Sequence, residues 1–151
     1  MIYTEITPVA GVMDVEDLLR SCGLPVADIE TTSLSEFYGI GYESELIAVV
    51  GLQCMGATAL LRSLAVSNNH RGKGIGSSLV SFAESRALAK GVGQVYLLTT
   101  DAEEYFYKLG YGTVSRDMAP DVIVSTDQFS TICPSSAMLM VKNLLDPVLE
   151  K

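Results

Sequence analysis

Arg71-Gly72-Lys73-Gly74-Ile75-Gly76, followed at once by Ser77-Ser78-Leu79-Val80-Ser81-Phe82-Ala83-Glu84, is the stretch whose residue types and spacing can do chemistry. A strand-like run, Leu60-Leu61-Arg62-Ser63-Leu64-Ala65-Val66, precedes it, and Ile75, Leu79, Phe82 and Ala83 recur after it at helical spacing. A strand, a glycine-rich turn and a helix start, in that order, bring backbone N–H groups and the positive end of a helix dipole onto one small volume. A pyrophosphate fits there. Arg71 and Lys73 place positive charge at its mouth, and Ser77 and Ser78 place hydroxyls in the first helical turn. Two other phosphate cradles are excluded by spacing. A P-loop needs Gly-x-x-x-x-Gly-Lys before Ser or Thr, and a dinucleotide fingerprint needs Gly-x-Gly-x-x-Gly with an acidic residue about twenty positions on.

The elements that must hold this stretch come from a chain of 151 residues, most simply one domain over residues 1–143 with a tail at 144–151, long enough to bury about two-thirds of its unfolded surface. Hydrophobic residues make up 48% of it, yet no apolar run reaches membrane-spanning length, so no membrane partner is expected. The formal charge of −8 argues against a nucleic-acid partner, because neutralising phosphates needs clustered Lys and Arg. The basic cluster is His70, Arg71 and Lys73, which suits a small anionic ligand. Met1-Ile2-Tyr3-Thr4-Glu5 lacks the basic start and apolar stretch of a signal peptide, and Cys22, Cys54 and Cys133 form an odd, widely spaced set. These features predict a cytoplasmic protein with ordinary thiols. No metal site is expected, since one His and scattered Cys give no ligand spacing.

In chain order, residues 2–6 alternate weakly as an edge strand that Pro8 should stop. Residues 12–22 read as a helix with Val15, Leu18 and Leu19 on one face and Gly23 at the C-terminal cap, while residues 26–35 carry no clear pattern. Residues 37–42, 46–54 and 57–66, separated by short turns, predict an antiparallel meander. The middle one is apolar almost throughout, as for a strand covered on both faces, which calls for helices on both sides of the sheet. After the glycine loop, a helix to about Lys90 and Gly91-Val92-Gly93 lead to Gln94-Val95-Tyr96-Leu97-Leu98-Thr99-Thr100, a strand that the crossover makes parallel to 57–66. Asp101 then reads as the N-cap of a helix with Phe106 and Leu109 facing in, closed by Gly110-Tyr111, which opens another strand. A loop at 116–120, helical character over 121–129 and a last strand at 137–141 complete the order. The exposed edge of that last strand offers a contact for a homodimer.

Arg-x-x-Gly-x-Gly after Leu64-Ala65-Val66 resembles the acyl-CoA pyrophosphate loop of the GNAT superfamily of N-acetyltransferases, and the order of elements resembles that fold across nearly the whole chain. Thr99-Thr100-Asp101-Ala102-Glu103-Glu104-Tyr105-Phe106-Tyr107-Lys108-Leu109-Gly110-Tyr111 is similar to a segment of the branch that contains N-acetylglutamate synthase domains. Phe129-x-x-x-Cys133-Pro134-x-Ser136-Ala137, Leu61-Arg62-Ser63-Leu64-Ala65-Val66 and Cys22-Gly23-Leu24-Pro25 are similar to the arsenic-resistance-associated acetyltransferases of that branch. The resemblance implies an α/β fold with a mixed sheet of six to seven strands, mostly antiparallel with one splayed parallel pair, and helices on both faces. It implies acetyl-CoA as co-substrate. The backbone of Leu64, Ala65 and Val66 would pair with the pantetheine arm, and Arg71, Gly72, Lys73, Gly74, Ile75, Gly76 and Ser77 would hold the pyrophosphate.

Acetyl transfer to an amine needs a neutral amine, a donor to the developing oxyanion and often an acid for the leaving thiolate. Many family members carry a Tyr as that acid where this chain has Phe106. Tyr105 and Tyr107 flank the position, each about 100° away around a helix, and the thiolate has water or the ammonium product as other proton sources. Arg62 is the substrate candidate, since a guanidinium can hold an amino acid's carboxylate bidentately; its structural alternative is pairing with a neighbouring carboxylate. Thr99 and Thr100 either hydrogen-bond the substrate or cap the next helix. The expected reaction is acetylation of the amino group of a small molecule, an amino acid or analogue. A polyamine, an aminoglycoside or a protein N-terminus is the other enzymatic option, and a non-catalytic acyl-CoA-binding module is the option of a different class.

Overall fold

The structure is a computed structural model that describes residues 5–9, 12–24, 35–43, 45–126, 129 and 137–145. Strand β1 (Thr7–Pro8) and helix α1 (Val12–Ser21) lead into three successive strands, β2 (Ser35–Tyr42), β3 (Glu45–Met55) and β4 (Thr58–Val66). A 3-10 turn at Asn68–His70 then precedes α2 (Ile75–Ala89), β5 (Gln94–Thr99), α3 (Glu103–Lys108) and β6 (Gly112–Val114). A second 3-10 turn at Arg116–Met118, α4 (Asp121–Val124) and β7 (Met138–Asn143) follow. Among the described residues seven strands are ordered β1-β2-β3-β4-β5-β7-β6 in a mostly antiparallel sheet with one parallel pair.

The parallel pair is β4 with β5, as the helical crossover demands. Its ladder runs from Thr58 and Gln94 to Leu60 and Tyr96, and β4 then continues for six residues beyond it. Two expectations need correction. Among the described residues the first strand is Thr7–Pro8, which residues 5 and 6 precede without joining; residues 2–4 of the expected strand lie outside the described residues, and Pro8 does not stop a strand but lies in one, opposite Tyr38. As the edge strand, β1 can carry a residue without an N–H donor. The last strand is not an edge either, because β7 lies between β5 and β6 and pairs antiparallel with both. Self-association through a free β7 edge is thereby removed.

The chain forms two compact units, and the first comprises the described residues up to 53 together with residues 61–85. Here Val15, Leu18 and Leu19 of α1 pack with Val49 and Ala65, and Phe37 and Leu46 lie against this cluster. On the opposite face of β2 the ring of Tyr38 meets Phe82 of α2 edge-on, with centroids 5.2 Å apart. Residues 47–53 of β3 are consequently buried without a break, as a strand covered on both faces must be. In the second unit, residues 54–60 and the described residues from 86 on, Leu60, Tyr96 and Leu139 of the sheet enclose Ile123 of α4.

The helices α1, α2 and α3 stop in the same way. Gly23, Gly91 and Gly110 have φ of +74°, +89° and +101°. Each donates its N–H three residues back, and the following residue donates five back, as Leu24 does to Leu19 O at 2.9 Å. Left-handed backbone thereby satisfies the carbonyls that each helix end leaves over. An ideal Cβ at Gly23 would meet nothing within 4 Å, so a side chain there adds backbone strain alone. Gly23→Ala is expected to lower stability by about 1 kcal/mol in urea unfolding, and Gly23→Asn to recover part of that loss because Asn tolerates the left-handed region.

Candidate functional site

The glycine loop is built as its spacing predicts. β4 ends at Val66, a 3-10 turn follows, and α2 begins at Ile75, fifteen residues long and without an acidic residue in its first turn. Gly72 and Gly74 both have φ of +78°, and a Cβ on either would meet nothing within 4 Å. Left-handed residues at alternate positions make successive N–H groups converge into an anion-binding concavity, and the open space beside both glycines leaves room for an anion to approach. The helix dipole adds favourable potential at the same end. Pyrophosphate chemistry fits this arrangement.

Side chains around the loop are already engaged. Arg71 folds back along the end of β4: its Nε donates to Val66 O at 2.9 Å and its Nη2 to Cys22 Sγ at 3.6 Å. The Cys22 thiol in turn donates to the same carbonyl at 3.6 Å. Arg71 is therefore tied to the C-terminus of α1, a contact that no sequence signal pointed to. The Ser78 hydroxyl turns back onto Gly74 O at 3.0 Å, whereas Ser77 is half-buried. Ile75 is buried, Gly76 is half-buried and Lys73 is exposed. The ring of His70 lies against Tyr42, centroids 5.1 Å apart. Of the last three residues of β4, Leu64 and Val66 are half-buried and Ala65 sits in the α1 cluster.

Three residues before its end, β4 departs from a regular strand. Ser63 has φ of +56°, a left-handed residue inside a strand. Regular alternation would put Arg62 and Ala65 on opposite faces. The kink puts both on the α1 face, where the Arg62 Cζ lies 5.7 Å from the centroid of the Phe37 ring. Arg62 Nε donates to Ser63 Oγ at 3.2 Å, and the residue is only 4% exposed. A cation this deep in a sheet face is a functional-site candidate, because burial of charge is otherwise unfavourable.

In the second unit Thr99 ends β5, and its Oγ1 accepts the Ala102 N–H at 2.9 Å. Thr99 thus fixes the entry to α3. Asp101, expected as the N-cap, does not fill that role: Ala102 is the cap residue, and Asp101 and Thr100 are exposed. Phe106 faces inward against Tyr111, with centroids 5.8 Å apart. Tyr105 and Tyr107, to either side, are 39% and 70% exposed. Cys133, Pro134 and Ser136 lie outside the described residues. Arg116 holds the residues that bracket them, donating to Phe129 O at 3.3 Å and to Ala137 O at 2.9 Å. Among the described residues no cluster of His, Cys, Asp or Glu could hold a metal ion, and no helix is long and apolar enough to cross a membrane.

Comparison with known proteins identifies the family. Residues 12–111 match the model of the Acetyltransferase (GNAT) family, and the chain belongs to that family. It is 31% identical over 91 residues to an uncharacterised N-acetyltransferase of Chlorobaculum tepidum, covering 60% of this chain and 58% of that one. It is 28% identical over 129 residues to the amino-acid acetyltransferase of Pseudomonas syringae pv. tomato, covering 82% of this chain and 30% of the relative. The chain therefore spans less than two-thirds of the first relative and under a third of the second. Among solved structures, N-acetylglutamate synthase of Neisseria gonorrhoeae, complexed with coenzyme A and N-acetyl-glutamate, superposes with a TM-score of 0.77. The identity is 18%, over 95% of this chain and 35% of that one.

The Thr99 bond gives this site a stability test. Thr99→Val removes the acceptor and strands the Ala102 N–H beside a buried side chain, so urea unfolding is expected to show a loss of about 1–2 kcal/mol. Thr99→Ser keeps the hydroxyl and should lose less than half of that.

Proposed function

We propose that the chain is a cytoplasmic acetyl-CoA-dependent N-acetyltransferase acting on the amino group of a small amino acid or amino-acid analogue. The observation that carries this is the pair of left-handed glycines, Gly72 and Gly74, with open space beside both, leading into the N-terminus of α2. Acetyl-CoA, when bound, supplies an acetyl group activated as a thioester. Residues 71–77 hold its pyrophosphate by backbone N–H groups and the dipole of α2. Backbone groups of Leu64, Ala65 and Val66, beyond the end of the β4–β5 ladder, take the extended pantetheine arm as one more strand would be taken. The Val66 carbonyl exchanges its Arg71 partner for the arm.

Arg62 supplies the preference for an amine that carries a carboxylate. Its Nε is fixed on Ser63 Oγ, and a guanidinium so held presents its fork in one orientation, which suits a planar carboxylate. The amino-acid acetyltransferase among the relatives supports the same acceptor class. Positioning the two substrates side by side supplies much of the rate, so few proton-transfer groups are needed. Tyr105 and Tyr107 are the candidates for the acid.

The buried Phe106 favours a second reading, a non-catalytic acyl-CoA-binding module. Free-thiol release from acetyl-CoA with a panel of amino acids and their amides separates the two. Amine-dependent release is expected, with Gly74→Glu reducing kcat/KM for acetyl-CoA by about 100-fold, because a carboxylate there repels the phosphates. Arg62→Ala should raise KM for the acids and leave the amides unchanged. If Tyr105 or Tyr107 is the acid, its Phe variant loses about tenfold or more in kcat at constant KM for acetyl-CoA. Binding of acetyl-CoA without release for any amine would establish the module instead.

A further inference from the structure

A glycine in the interior of a buried strand weakens it, and a reason for one is the close approach of another group. Gly51 is such a residue, in the buried run of β3 and directly opposite Phe37 of β2. An ideal Cβ at Gly51 would lie 2.8 Å from Phe37 Cε1, 3.0 Å from Arg62 Cγ and 3.2 Å from Arg62 O. One contact is to the ring over which the guanidinium sits, and two are to Arg62 itself, side chain and backbone. The backbone contact cannot be relieved by a rotamer change. Arg62 O is the carbonyl immediately before Ser63, so moving it means altering the left-handed kink that puts Arg62 on this face.

We propose that Gly51 and Phe37 are positioning residues that set where the Arg62 guanidinium stands and thereby fix the specificity for carboxylate-bearing amines. The inference rests on the substrate reading of Arg62 given above. Gly51 leaves the space through which the Arg62 stem passes, Phe37 forms the floor beneath its charged end, and Ser63 Oγ holds Nε. The side chain is thereby bounded at its stem by the Gly51 backbone and at its charged end by Phe37 and Ser63. Bidentate recognition of a carboxylate depends on that placement, since a fork displaced by a fraction of an ångström keeps its charge and loses its paired geometry.

The test compares steady-state constants for the best amino-acid acceptor in the panel and for its amide. Gly51→Ala is expected to raise KM for the acid about tenfold while KM for acetyl-CoA and both constants for the amide stay within about twofold. Phe37→Leu removes the ring but keeps apolar bulk against the α1 cluster, so it serves if Gly51→Ala fails to fold, and the same selective rise is expected. A purely structural role would move the amide and the acid together, and that outcome overturns the proposal. So does a selective rise for Arg62→Ala alone, with Gly51→Ala and Phe37→Leu unchanged. If Arg62→Ala itself shows no selectivity for the acid, the substrate reading falls and takes the positioning role with it.

Discussion

Backbone N–H groups left over at a helix start are the resource on which this chain depends, and they are useful only if the preceding turn leaves them uncovered. Side chains in a tight turn would cover them. Gly72 and Gly74 meet that constraint twice over: each adopts a backbone conformation that other residues adopt only under strain, and each leaves the adjoining space open. The rest of the first unit follows from holding this turn still. β4 brings the chain to it, α2 carries the chain away, and β3 lies buried without a break between two helix layers.

A second constraint is electrostatic. Removing a guanidinium from water costs several kcal/mol unless partners replace the water, and Arg62 is almost entirely buried. Ser63 Oγ replaces one water and the Phe37 ring face replaces others by its negative quadrupole. The kink at Ser63 is itself strained, since a non-glycine residue in the left-handed region costs about 1–2 kcal/mol. Strain of that kind persists where surrounding structure determines it and tends to mark sites of use. Two unfavourable features at adjacent residues, a buried cation and a left-handed serine, therefore explain one another: the kink is what carries the cation to the α1 face.

The glycine loop, its flanking strand and helix, the parallel β4–β5 pair and the three glycine helix stops were all legible in the sequence, because each is set by residues close together in the chain. What was not legible is non-local or departs from residue-type rules. Pro8 obeys the rule against prolines in central strands by lying at an edge, and which strand is the edge depends on pairings across the whole chain. The insertion of β7 between β5 and β6 is likewise a pairing choice made far from either neighbour. Asp101 has the right residue type for a helix cap, yet Thr99 reaches the Ala102 N–H because it ends a strand aimed at that point. Nothing in the type of Ser63 signals a kink. Gly51, by contrast, stood in plain view: a glycine within an apolar strand is a cue for close approach.

The departure at Phe106 bears on how the site can work. Phe106 is buried against Tyr111, so it contributes packing to α3 and no proton. A missing acid matters less where the leaving group is a thiolate, which is a far weaker base than an alkoxide or an amide anion; a cysteine thiol, for comparison, has an ordinary pKa of about 8.5. Protonation of such a group at neutral pH demands little of the protein. The larger demand is to bring the amine and the acetyl carbon together in one orientation, which is a matter of binding geometry. Under the proposed reading that geometry falls to Gly72 and Gly74, which keep the loop open, and to Arg62, seated over Phe37.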